Sequence, residues 1–109
     1  MEDRFNDKIV VNEVQNDGYQ VHLYYDPTKQ EYQAYGYSAY IITHTVSAPF
    51  PTYATNMQMP MVVVDEGIID KLKKKLEEII YLEDEYYLLE AKQKLDEDDY
   101  DLWSAKVRG

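Results

Sequence analysis

"QEYQAYGYSAY", residues 30 to 40, sets four tyrosines among eleven positions, with a glycine and a serine between them. Read as strand, it makes the chain a sheet protein; read as a turn bearing a nucleophile, it makes it an enzyme. Tyrosine is a demanding core residue, because every buried ring brings a hydroxyl that needs a partner. Within the stretch, "GYSAY" (Gly36 to Tyr40) falls one glycine short of the G-x-S-x-G nucleophile elbow, with Tyr40 where the second glycine would stand. That elbow also needs a strand-to-helix turn, whereas the flanks here are rich in tyrosine, isoleucine, threonine and valine on both sides. Glu31 to Val46 is therefore read as one long strand or two in succession, and Ser38 as an ordinary strand residue.

Moving outward, "YQVHLYY" (19 to 25) alternates with period two and reads as a strand, and "DPTKQ" (26 to 30) reads as a turn. If Tyr25 stands opposite Tyr32, then Leu23 faces Ala34, Val21 faces Gly36 and His22 faces Tyr35. One sheet face is then Tyr19, Val21, Leu23, Tyr25, Tyr32, Ala34 and Tyr40, which is core in character. The other carries Gln20, His22, Tyr24, Gln33, Tyr35 and Tyr37, aromatic and hydrogen-bonding without charge, a mixture common in binding surfaces. From sequence this second face reads equally as an interface or ligand face and as intramolecular core.

Upstream, "KIVVNEV" (8 to 14) reads as a strand and "QNDG" (15 to 18) as a hairpin turn. Downstream, "SAPFPTYATN" (47 to 56) reads as a loop and "MQMPMVVV" (57 to 64) as a fourth strand. Pro60 asks for an edge position there, or for pairing that begins only at Met61. Met57, Met59 and Met61 share one face, as core or as an adaptable apolar patch.

At Val64 the period changes. Asp65 is a candidate N-cap with Glu66 in the first turn, and Ile69, Leu72, Leu76, Ile79 and Ile80 recur at helical spacing. A change of phase near "LEDE" (82 to 85) predicts a break before a second helix through Leu88, Ala91 and Leu95. Asp96 to Asp99 would interrupt that helix ahead of a terminal turn around Tyr100, Trp103 and Val107. The expected product is one α+β domain over 1–109, β-rich to residue 64 and helical and acidic from 65. It would be a four-stranded antiparallel meander followed by two to three C-terminal helices packed on one face.

Composition narrows the function. The 109 residues contain no cysteine, which excludes a disulfide framework and thiol chemistry. The start, "MEDRFNDKIVV", lacks the basic and apolar character of a signal peptide, and no apolar run approaches the ~20 residues of a membrane helix. A cytoplasmic location is the expectation, in the host cell if the protein is phage-encoded. The net charge is −10, and residues 77 to 101 alone hold eleven acids against two lysines. Such a chain repels nucleic acids and anionic membranes and favours a basic protein partner.

Catalytic and metal-binding constellations are missing from the pattern. His22 and His44 fall in predicted strands without ligand spacing, and His22 to Asp26 spans ~13 Å in a strand. "KLKKK" (71 to 75) sits among Asp70, Glu77 and Glu78 and reads as a solvated helix face. No enzyme activity, cofactor or metal is expected. The candidate partner-binding surface is Glu77, Glu78, Glu83, Asp84, Glu85, Glu90, Asp96, Glu97, Asp98, Asp99 and Asp101. As one helical run it would be ~37 Å long with a carboxylate every ~3.4 Å, close to the phosphate repeat of a DNA strand. The expected function is a small acidic binding protein, expected as a homodimer, that inhibits a basic partner by mimicking nucleic acid. By association of type, small, cysteine-free, strongly acidic and motif-poor proteins of this kind are often phage-encoded inhibitors of host defence. The alternative is a nucleotide-binding protein that uses the face of His22, Tyr24, Gln33, Tyr35 and Tyr37.

Overall fold

The computed structural model describes residues 9–26, 28–46, 50–55, 57–75, 78–83, 86–91 and 94–109. Its centre is one antiparallel sheet. The strands are β1 (Gln20–Asp26), β2 (Glu31–Tyr35), β3 (Thr52–Ala54), β4 (Met59–Val64), β5 (Glu78–Glu83) and β6 (Tyr86–Glu90), in the order β3-β4-β2-β1-β6-β5. Helical residues 9–14 form α1, and the other helices are α2 (Gly36–Thr45), α3 (Glu66–Lys75) and α4 (Glu97–Arg108). The class is α+β, an antiparallel sheet with helices.

The β1–β2 hairpin keeps the expected register, with Tyr25 opposite Tyr32 and their rings 5.1 Å apart. The ladder ends at Tyr24 and Gln33, because the chain leaves the sheet at Gly36. There φ is +57°, a left-handed conformation that glycine adopts without penalty. An added Cβ would also stand 3.1 Å from Met59 Sδ. The strand expected to run on to Val46 is thus half strand and half helix. Its β-branched and aromatic residues favour strand locally, but Ala39, Ile42 and Val46 recur at helical spacing and all are buried in the main core. Burial on nearly every side outweighs the local preference.

That core joins Val21 and Leu23 of β1, Val62 and Val64 of β4, Ile69 and Leu72 of α3 and Leu89 of β6. Tyr100 and Trp103 of α4 pack against it, so α2, α3 and α4 cover one sheet face. The Asp65 cap is in place, its Oδ1 accepting the Ile68 N–H at 2.8 Å. Pro60 is accommodated because pairing with β2 begins at Met61, while the short edge strand β3 pairs with Met59 to Met61.

Three further expectations need correction. Residues 9–14 are helix, with Ile9 and Glu13 turned inward and Val14 79% exposed, the spacing of a single buried helical stripe. Part of the expected 47–56 loop is β3. α3 spans only Glu66–Lys75, and the expected continuation of that helix through Ile79 and Ile80 is strand β5. The second helix expected through Leu88 is strand β6, which closes the open side of β1 and sets Leu89 opposite Val21. Among the described residues the sheet is therefore six-stranded with β1 inside it, not a four-stranded meander. Its helices and strands also cross the division expected at residue 64.

Candidate functional site

The opposite sheet face is where the polar tyrosine set lies. His22, Tyr24, Gln33 and Tyr35 are all buried, between 2% and 5% exposed, and Ile9 of α1 packs with Tyr24 and Tyr35. Met59 and Met61 lie half-buried beside them. The hydroxyls are partnered: Tyr24 accepts from Asn12 Nδ2 at 2.9 Å, and Tyr35 donates to Gln33 Oε1 at 2.7 Å. Burial, with Asp26 and Glu31 nearby, pushes the Tyr35 phenol up to about 12. Tyr37, expected with this group, is separated from it; it lies on α2 and meets α4.

Where β2 becomes α2, the buried polar groups converge. Ser38 Oγ accepts the His22 N–H at 2.9 Å, beyond the last paired residues of the β1–β2 ladder. Its hydroxyl donates to Glu13 Oε2 at 2.7 Å, and its N–H donates to Glu13 Oε1 at 3.2 Å. Tyr35 offers α2 no side-chain cap, so a carboxylate from α1 caps that helix from outside. Asn16 Nδ2 adds a 3.3 Å bond to Glu13 and one of 2.7 Å to the Gln20 carbonyl. Desolvation outweighs these hydrogen bonds, and the Glu13 carboxyl is pushed up to about 7.

Ser38 does sit just after a strand-to-helix turn, contrary to the sequence expectation. It is nonetheless fully buried, and its hydroxyl bridges a carboxylate and a strand amide.

Above Glu13 opens a cleft of about 280 Å³, lined by Glu13, Asn16, Gly36, Tyr37, Glu97 and Tyr100, with Val14 and Met59 on its apolar side. Tyr37 and Tyr100 meet edge to face at 4.6 Å and 78°, and Tyr37 Oη donates to Glu97 Oε1 at 3.4 Å. Burial is the main cause that raises both phenols. Glu97 adds to it at Tyr37, while at Tyr100, pushed up to about 12, Glu13, Tyr37 and Asp101 add to it and Ser104 opposes it. Behind them, Tyr40 stacks on His44 at 4.0 Å and meets Trp103 edge to face at 5.4 Å.

The acidic residues do not form one rod. Asp96, Glu97, Asp98, Asp99 and Asp101 are exposed at the start of α4, where Asp96 Oδ1 accepts from the N–H groups of Asp98 and Asp99 at 2.9 and 3.1 Å. Glu90 ends β6, and Glu78 and Glu83 bound β5 at the far side of the sheet. Glu77, Asp84 and Glu85 lie outside the described residues. The ~37 Å helical repeat is thus replaced by a hairpin and a separate acidic helix end.

The other basic and titratable candidates are dispersed. His44 is on the exposed side of α2, its Nδ1 2.8 Å from the Tyr40 carbonyl. Lys75 Nζ donates to the Thr45 carbonyl at 3.2 Å, tying α3 to the end of α2. Among the described residues no group of three or more His, Cys, Asp or Glu could hold a metal ion, and no helix is long and apolar enough to cross a membrane.

Glu13, Asn16 and Tyr100 were not singled out by sequence. The one available signal was the spacing of Ile9 and Glu13, four apart, which places a lone acid on the apolar stripe of a helix. Compared with family models, with curated proteins and with solved structures, the chain matches none.

Proposed function

We propose that this protein is a non-catalytic binding domain that engages a basic protein partner and inhibits it by occupying the surface where that partner binds anions. The observation that carries the reading is the acidic start of α4: Asp96, Glu97, Asp98, Asp99 and Asp101 are all exposed beside an open cleft. A net charge of −10 steers cationic surfaces toward it over a Debye length, roughly 8 Å at physiological salt. Mimicry of nucleic acid in the strict sense, a regular row of charges, loses its support once the acidic stretch divides. A localised acidic patch takes its place.

Amide neutralisation of the patch tests this reading. A variant with Asp96→Asn, Glu97→Gln, Asp98→Asn, Asp99→Asn and Asp101→Asn is compared with the parent chain for capture of proteins at low and high salt. Basic proteins should be retained by the parent, released by salt, and held at least about tenfold more weakly by the variant. At ~0.2–1 kcal/mol per exposed pair, five lost charges account for such a change. Neutral or acidic partners, or retention that ignores both salt and the substitutions, would remove the proposal.

A further inference from the structure

We infer that the cleft between the end of α1 and the starts of α2 and α4 is a receptor for a single guanidinium group, an arginine side chain of the partner. The inference rests on the basic-partner reading above and names the contact at its centre.

Three features select this occupant. Tyr37 and Tyr100, at 78° to one another, form two walls of a corner, and aromatic rings attract cations through their quadrupoles. Glu97 stands at that corner, hydrogen-bonded to Tyr37 through one oxygen, with Glu13 also lining the cleft; among the described residues none that lines it is cationic. Of the two common cationic side chains, guanidinium is planar and weakly hydrated, and it can stack on a ring while it forks onto a carboxylate. At about 280 Å³ the cleft stands at the small end of the ~300–1,000 Å³ of pockets that enclose whole small molecules. The room suits the end of one side chain, with Val14 and Met59 to cover its aliphatic stem.

The test uses N-butylguanidinium as probe, N-butylurea as its neutral isostere and sodium chloride at matched ionic strength, followed by amide NMR shifts on the whole chain. Saturable shifts should appear at Asn16, Gly36, Tyr37 and Tyr100 with the guanidinium alone. Glu97→Gln should weaken the binding roughly fivefold. Glu66→Gln, which removes an equal charge from exposed α3, should leave it within experimental error. Equal binding of the urea, shifts spread over α4 without saturation, or equal loss in the two variants would overturn the inference. The two proposals fail separately. If the probe saturates the cleft but no basic protein is captured, the partner reading falls and the cleft stands. If a basic protein is captured as tightly by the Glu97→Gln chain as by the parent, the cleft falls and the partner reading stands.

Discussion

The two faces of the sheet are covered by different physics. On one, α2, α3 and α4 bury a continuous apolar core; on the other, α1 sits over a polar layer and is held through Glu13, Asn12 and Ile9. The first face draws its stability from apolar area removed from water, which does not depend on protonation. The second draws it from buried hydrogen bonds around a carboxyl group, and so must respond to pH. The anchoring of α1 is therefore sensitive to pH in a way that the larger face is not.

The largest expected effect lies on the apolar face. Leu23→Ala empties a fully buried site in the middle of the sheet and should cost about 2–5 kcal/mol in denaturant unfolding, by the same amount at pH 5 and pH 8. A marked pH dependence of that loss would break the distinction between the faces.

Glu13 should show the opposite behaviour. Its carboxyl holds its proton to about pH 7 in the fold and to about 4.5 when unfolded, so the folded chain binds more protons between those values. Stability should fall as pH rises through that window and level off above it. The magnitude is roughly 3 kcal/mol for a displacement of this size. The Glu13→Gln chain keeps a neutral group there, so its stability should exceed that of the parent at pH 8 and match it near pH 4. Parallel stability curves for the two chains would show that Glu13 is not the source.

The seam between the faces comes next. Gly36→Ala forces a side chain into a left-handed conformation and toward Met59 Sδ, and a loss of about 1–2 kcal/mol is expected in thermal or denaturant unfolding. The smallest effect belongs to the α4 cap. Asp96→Ala removes the acceptor for the Asp98 and Asp99 N–H groups at a cost of about 1 kcal/mol. Trp103 is the only tryptophan in the chain, so its fluorescence should report whether α4 loosens locally before the rest unfolds.

Much of the fold is legible from local pattern. Period two marked β1 and its partner, and the turn composition set Tyr25 opposite Tyr32. The Asp65 cap with Ile69 and Leu72 at helical spacing marked α3. Each of these signals is complete within a few residues. The errors share one cause: α1, α2 and β6 take their conformations from what they cover. "KIVVNEV" and "SAYIITHTV" are apolar enough to be strand or buried helix, and only the space above the sheet decides between them. "YYLLE" becomes strand because β1 offers an unpaired edge.

The candidate site divides along the same line. Asp96 to Asp99, expected to interrupt a helix, instead cap and open α4, but net charge does follow from composition alone. The cleft does not, because Glu13, Tyr37 and Tyr100 are far apart in the chain and meet only where three helix ends converge. Sequence by itself thus determined the strand alternation, the Asp65 cap and the field of the molecule, since these depend on neighbours along the chain. Tertiary structure alone decided that the tyrosine face is covered, that Ser38 is buried and that a carboxylate lies beneath an aromatic corner. Those outcomes depend on which surfaces exclude water together, and that is a property of the assembled layers.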